Sequence, residues 1–189
     1  MRAFFQPASL AVVHAAGEPD PRTQQVLRNA NARFQGTVAE FDFVERMFRS
    51  PATVPAIEAP DSAVPELAIL CLPAPMLPAA IAYLGDAGTR AVVIPAPVAA
   101  DLKLDETTTV LAAIRDAARR RSVRVLGPDS LGVIVPATGL NASFAHIEPH
   151  AGGIAFIAES AVSRARCSTG PIRKRSACAA SCTSGRRST

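Results

Sequence analysis

Four short segments of this 189-residue chain carry the residue types from which a ligand site is built. His14-Ala15-Ala16-Gly17 follows the apolar run Ser9–Val13 and precedes a helix that opens near Pro21. In a nucleotide-binding fold this is where close-approaching backbone and a helix N-terminus hold a phosphate. Only Gly17 supplies the glycine such a loop wants, and Glu18 and Asp20 put negative charge where an anion would sit. A loop that merely connects two elements is the competing reading. Leu72-Pro73-Ala74 and Pro95-Ala96 each follow an apolar run. Small residues with prolines make a narrow apolar slot suited to a thin ligand arm; the alternative is an ordinary helix start with proline stops. Gly127-Pro128 follows Val123–Leu126, which sets its turn at the carboxyl end of a strand, where open α/β sheets build ligand sites. Other chemistry-bearing residues do not assemble. His14, His146 and His150 are far apart, lack a nucleophile partner, and read as loop or surface. Cys167, Cys178 and Cys182 match no zinc spacing, and Cys71 reads as a small core residue. No catalytic residue and no metal ligand is expected.

The elements that must position these loops follow from hydrophobic period. Apolar runs of four to six residues alternate with longer helix-period segments, the pattern of βαβ units and a parallel sheet. Strands are expected at Ser9–Val13, Gly36–Phe41, Glu66–Cys71, Ala91–Ile94 and Val123–Leu126. Helices are expected over Pro21–Phe34, from Pro75–Pro78 to Gly85–Gly88, and over Asp105–Arg121, the last with Val110, Leu111, Ile114 and Ala118 on one face. The Pro-rich segment Glu45–Pro65 reads as a loop with a short helical turn. Right-handed crossovers make a Rossmann-like parallel sheet with helices on both faces the expected α/β fold. Ile154–Ile157 is one more strand, Ser160–Arg164 begins a helix, and disorder is expected from about Cys167 onward.

Composition excludes several classes. Apolar content of 49% and a mean hydropathy of +0.20 suit a well-buried domain. No apolar run reaches the ~18 residues needed to span a bilayer, and the N-terminus is too short in apolar residues for a secretory signal. A cytoplasmic protein without a membrane partner is expected. The net charge of +4 is a property of the tail: residues 1–163 carry 13 basic and 16 acidic side chains, whereas residues 164–189 carry seven basic and no acidic ones. Nucleic acid is therefore not an expected partner of the folded part.

Gly127-Pro128-Asp129-Ser130-Leu131-Gly132 and Gly139-Leu140-Asn141-Ala142-Ser143-Phe144-Ala145 together resemble the GPN(C/S)LG…GLNASF signature of one superfamily. It comprises the coenzyme A-binding domain of ADP-forming acyl-CoA synthetases, the succinyl-CoA synthetase α-subunit, and bacterial protein lysine acetyltransferases with a synthetase-like half. The resemblance covers about residues 3–165 and implies coenzyme A or acetyl-CoA as the ligand. It implies contacts from Ala15, Ala16 and Gly17, from Phe43 at the end of strand two, from Leu72, Pro73 and Ala74, from Pro95 and Ala96, and from Gly127 and Pro128. Departures are specific. Where the family has a glycine-rich VVGAS-x-x-PGSVG loop the chain has Val12-Val13-His14-Ala15-Ala16-Gly17-Glu18-Pro19, and the family's lysine after strand two is absent from Phe41-Asp42-Phe43-Val44-Glu45, with Arg46 as the substitute. Asp129 replaces the usual asparagine. The wording Leu67–Cys71, Leu140–Phe144 and Ser160–Ser163 leans toward the acetyltransferase type.

After Ile157 the resemblance continues through Ser160-Ala161-Val162-Ser163 and then breaks. Arg166–Pro171 can be encoded CGG TGC TCG ACT GGG CC, which from the last base of the arginine codon reads Val-Leu-Asp-Trp-Ala, the family's next words. Ile172–Ala177 permits Pro-Gln-Ala-Ile-Gly in the same frame. A frameshift near residue 166 is thus expected. It divides the chain into a coenzyme A-binding domain over 1–148, the start of a truncated flavodoxin-like domain over 149–165, and a basic out-of-frame tail over 166–189. The function expected is acyl-CoA binding without turnover. A degenerate regulatory module for NAD or another nucleotide, and a non-functional truncated product, are the alternatives. Self-association through the incomplete second domain is a further expectation, because an unpaired apolar strand is a template for association.

Overall fold

The computed structural model describes residues 2–44, 47–49, 64–98, 102–146, 150–152, 154–157 and 178–182. A four-residue helix, α1 (Arg2–Phe5), precedes the first strand, β1 (Ser9–Ala15). Helix α2 (Pro21–Arg33) follows, opened by Asp20, whose carboxylate accepts a 2.6 Å hydrogen bond from the Thr23 N–H, with Pro21 in the first turn. Then come β2 (Thr37–Val44), β3 (Met47–Arg49) and β4 (Leu67–Cys71). A 3-10 turn at Ala74–Met76 feeds α3 (Leu77–Ala87), which closes on Gly88. β5 (Ala91–Val93), α4 (Leu104–Arg120) and β6 (Arg124–Leu126) complete this part. α4 starts where the Glu106 carboxylate reaches back to accept from the Lys103 N–H at 2.9 Å.

These strands form one sheet in the order β3-β2-β1-β4-β5-β6. β1, β2, β4, β5 and β6 are parallel, and β3 runs antiparallel on the outer edge of β2. The Glu45–Pro65 segment, read as a loop, therefore contains a short strand, while 50–63 lie outside the described residues. The two faces of the sheet are distinguished by alternation along each strand. Ala11, Val13, Ala68, Leu70 and Val92 face α3 and α4, packing with Ile81, Leu84, Ile114 and Ala118. Leu10, Val12, Leu67, Ile69 and Val93 face the opposite way, against Val26 and Ala30 of α2. Helices thus cover both faces, as the parallel pattern requires. Asp86 of α3 and Arg121, which caps α4, lock the two helix ends together through a bidentate pair at 2.7 and 2.9 Å.

The signature segments are not loops only. β7 (Gly132–Val135) and β8 (Leu140–Ser143) form an antiparallel hairpin over a 3-10 turn at Pro136–Thr138. Val133, Val135, Leu140 and Ala142 complete the α2-side core. The composition of the signature follows. Gly132 has φ +115°, and a Cβ on it would collide with the Ala142 carbonyl oxygen; Gly127 has φ +102°, with the Ile94 carbonyl oxygen in the same position. Both glycines let backbone lie on backbone. Asn141 and Ser143 are buried and satisfy one another, the Ser143 hydroxyl donating to Asn141 Oδ1 at 2.6 Å.

β7 also pairs with β10 (Cys178–Cys182), which lies parallel to β9 (Ile154–Ile157), giving a second sheet ordered β8-β7-β10-β9. The strand at Ile154–Ile157 thus has a neighbour, and most of the tail after Cys167 lies outside the described residues.

Asn29 of α2 ties this hairpin to the main sheet, donating from Nδ2 to the carbonyls of Ser143 at 2.7 Å and Ala145 at 2.8 Å. Asn29→Ala leaves two partly buried carbonyls without a donor and is expected to cost about 2 kcal/mol. Gln25→Ala, which removes a contact to Asn29 and an exposed one from Arg28 but none to the hairpin, is expected to cost less than about 1 kcal/mol. Urea unfolding of the two variants side by side checks this, and equal costs would show that Asn29 does not hold the hairpin.

Candidate functional site

In a parallel sheet the carboxyl ends of all strands lie along one edge. The residues singled out as ligand contacts follow those ends: Ala15-Ala16-Gly17 after β1, Phe43 near the end of β2, Leu72-Pro73-Ala74 after β4, Pro95-Ala96 after β5, and Gly127-Pro128 after β6. Strand order reverses between β1 and β4, so the crevice at the ends of these two strands is the switch point of the sheet. The loops are tied to each other, with the Ile94 N–H donating to the Leu126 carbonyl at 2.8 Å and the Asp129 N–H to the Ala96 carbonyl at 3.1 Å. Within the row the roles divide. Phe43 and Leu72 are buried in the core and Pro95 is buried, whereas Ala16, Gly17 and Pro73 are exposed. Nothing stands within 4 Å of where a Cβ on Gly17 would be. A cavity of about 570 Å³ opens away from the crevice, at the outer edge of β6, and meets the row only at Gly127 and Pro128.

The N-terminus of α2 stands over this crevice. The Thr23 hydroxyl reaches the Cys71 thiol at the end of β4. Desolvation pushes that thiol up to about 12, opposed by the Thr23 hydrogen bond, so Cys71 is inert near neutral pH. The helix terminus already holds an anion, the Asp20 carboxylate. Partial burial raises the Asp20 carboxyl, but hydrogen bonds from Thr23 and the charge of Arg22 outweigh it and hold the group below its ordinary 3.8. Arg22 is held with its guanidinium 4.9 Å from the centroid of the Phe144 ring, which places a cation at this edge.

The neighbouring strand ends are acidic. His14 is buried, not a loop or surface residue, because β1 runs two residues farther than its apolar run. Its Nδ1 lies 2.8 Å from the Ala15 carbonyl and its Nε2 3.0 Å from Glu40 Oε1. Asp42 Oδ1 is 3.2 Å from His14 Nδ1, but that nitrogen is directed to Ala15, and Asp42 Oδ1 remains a buried oxygen without a hydrogen bond. His146 and His150 are exposed. Among the described residues no group of three or more His, Cys, Asp or Glu is placed to hold a metal ion, and no helix is long and apolar enough to cross a membrane. Arg46, the expected substitute cation, lies outside the described residues. Arg22 was not singled out from the sequence; its position in the first turn of a helix leaving a strand end was the available signal.

Strand order, switch point and strand-end loops define a Rossmann-like α/β domain of the kind that carries ligands at its carboxyl edge. No family model matches the chain. Its sequence is related to ADP-forming acetate–CoA ligases. It is 26% identical over 168 residues to the α subunit of the Pyrococcus furiosus ligase I, covering 85% of this chain and 35% of that subunit. It is 26% identical over 163 residues to the Archaeoglobus fulgidus ligase I, covering 85% of this chain and 23% of that protein. The fold superposes on a solved protein of Pyrococcus horikoshii with a TM-score of 0.80 at 22% identity, over 98% of this chain and 42% of the other. It also superposes on a dinucleotide-forming acetyl-coenzyme A synthetase of Candidatus Korarchaeum cryptofilum, solved with phosphate and ADP, with a TM-score of 0.77 at 22% identity over 97% and 39%. The chain spans about a third or less of the curated relatives it matches.

Asp20→Ala is expected to destabilise the chain by about 1 kcal/mol through loss of the helix cap. Because the folded carboxyl titrates below its unfolded value, the cap's contribution is full above the unfolded value near 3.8 and is lost as pH falls through the folded one. Unfolding free energies of wild type and variant should therefore differ at neutral pH and converge in acid. A constant difference across that range would rule out the carboxylate as the cap.

Proposed function

We propose that residues 1–148 are a coenzyme A or acyl-CoA-binding domain of an acyl-CoA synthetase-like protein, and that this chain by itself performs no turnover. The observation that supports the reading is the row of small and proline-bearing loops at one sheet edge in a relative of acetate–CoA ligases. In this reading Pro73, Ala74, Ala96, Gly127 and Pro128 take the thin pantetheine arm, and Ala15, Ala16 and Gly17 the nucleotide end. Arg22 is the cation for its phosphates, and the Asp20 carboxylate competes with them at the helix N-terminus. Affinity is accordingly weak.

A second reading rests on Asp42. A buried carboxylate oxygen without a donor, at the end of β2, is a ready acceptor for a ribose hydroxyl, the role an acid there plays in dinucleotide folds. NAD or another nucleotide is the ligand in that case.

Thermal melting of the full chain with acetyl-CoA, and separately with NAD, tests both, since a ligand that binds only the folded state raises the melting temperature. Acetyl-CoA is expected to raise it and NAD to leave it unchanged. Asp20→Ser, which keeps a capping oxygen and removes the charge, is expected to enlarge the acetyl-CoA shift, with an affinity gain of about fivefold or more. A shift with NAD alone would replace the first reading with the second; no shift with either at millimolar concentration would overturn both.

A further inference from the structure

β6 is the last strand of the main sheet, and among the described residues no strand lies beside its outer edge. The Arg124 N–H is spent inward on the Arg90 carbonyl at 3.0 Å, and the Leu126 carbonyl inward on the Ile94 N–H at 2.8 Å. By the alternation of a strand, the N–H and carbonyl of Val125 between them point outward. α4 lies alongside this edge, and between helix and strand runs the groove of about 570 Å³. Ile114, Val123 and Val125 contribute apolar surface to it, and among the described residues its charged lining is Arg115, Arg119 and Arg124. Arg119 in the last turn of α4 is accounted for by the helix dipole, but Arg115 in mid-helix and Arg124 on the strand are not. Val123 and Val125 turn toward α4, so Arg124 faces the opposite side of the sheet.

We propose that the β6 edge is a docking site for an extended acidic segment of a partner polypeptide, added as a further strand. Each feature answers one part of such a segment. The outward Val125 groups take its backbone hydrogen bonds, the groove takes its apolar side chains, Arg124 takes the carboxylates that alternate to the opposite face, and Arg115 beside the groove adds to the attraction for an acidic chain. Charge decides against two other occupants, a second copy and the tail. A second copy meeting edge to edge would set arginine against arginine, and residues 164–189 are basic without an acid. A single-stranded nucleic acid matches the charge, but the lining has no aromatic side chain on which bases could stack.

The test uses the full chain and a fluorescein-labelled alternating Glu–Val peptide of about eight residues, followed by anisotropy at low ionic strength. Saturable binding below about 1 mM is expected, with Arg115→Ala/Arg124→Ala weakening it about tenfold or more. The same peptide N-methylated at alternate residues, which cannot pair as a strand, should lose binding although its charge is unchanged. Melting curves of the double variant confirm that it folds, both arginines being exposed. Binding that survives the double substitution resides on the basic tail, and binding that survives N-methylation is charge alone; either result overturns the proposal. So does absence of binding below about 1 mM, or displacement of the peptide by a uridine oligonucleotide that binds more tightly.

Discussion

Everything at the carboxyl edge depends on β1 being paired on both sides and buried on both faces. It is hydrogen-bonded in parallel to β2 over Ser9–Ala15 and to β4 over Leu10–His14. Leu10, Val12 and Val13 are completely or almost completely withdrawn from solvent, each contributing roughly 1.5–3 kcal/mol of burial. With β1 central and the crossovers on opposite faces, α2 must cover one side and α3 with α4 the other. The loops after β1 and β4 then diverge, and the crevice between them is a consequence of that divergence. No loop residue has to create it.

The GPDSLG and GLNASF segments act through the same core. Their glycines are places where backbone touches backbone, their apolar residues close the α2-side core, and their polar residues satisfy each other or receive Asn29. Many positions of the motif are mechanically constrained in this chain. It testifies to architecture first. Only Gly127 and Pro128 also stand in the strand-end row.

The parallel strands and their helices were legible because short β-branched runs and helix-period segments are separated by clear punctuation, and Asp20-Pro21 and Gly88 mark real helix ends. The hairpin was not, because Gly132, Pro136 and Gly139 break it into four-residue pieces that read as turns, and the strand beside it, β10, comes from residues far away. β3 was hidden for a related reason: a three-residue antiparallel edge has no period to detect. His14 misled in another way. A histidine ending an apolar run reads as the first loop residue, yet Glu40 on the next strand lets the ring stay in the sheet. At the candidate site the loop positions were readable from strand ends alone. The electrostatics were not, since they hinge on Arg22 packing over a phenylalanine 122 positions away.

The charges at the edge set what kind of ligand can be held there. Glu18, Asp20, Glu40 and Asp42 lie on the first two strand ends or the loop after β1, against Arg22. Two like charges 4 Å apart repel by about 4 kcal/mol at the effective dielectric of a protein surface. A phosphate seated at the α2 terminus would meet that repulsion and would also have to displace the Thr23–Asp20 bond. The β4, β5 and β6 loops carry no such cluster, and they are small, proline-bearing and partly apolar. In the proposed reading, the row therefore favours the uncharged part of a long ligand on one side of the switch point and tolerates its anionic end poorly on the other. A ligand whose binding energy is concentrated in phosphates would find this edge a poor fit. One that binds mainly through a thin apolar arm loses far less.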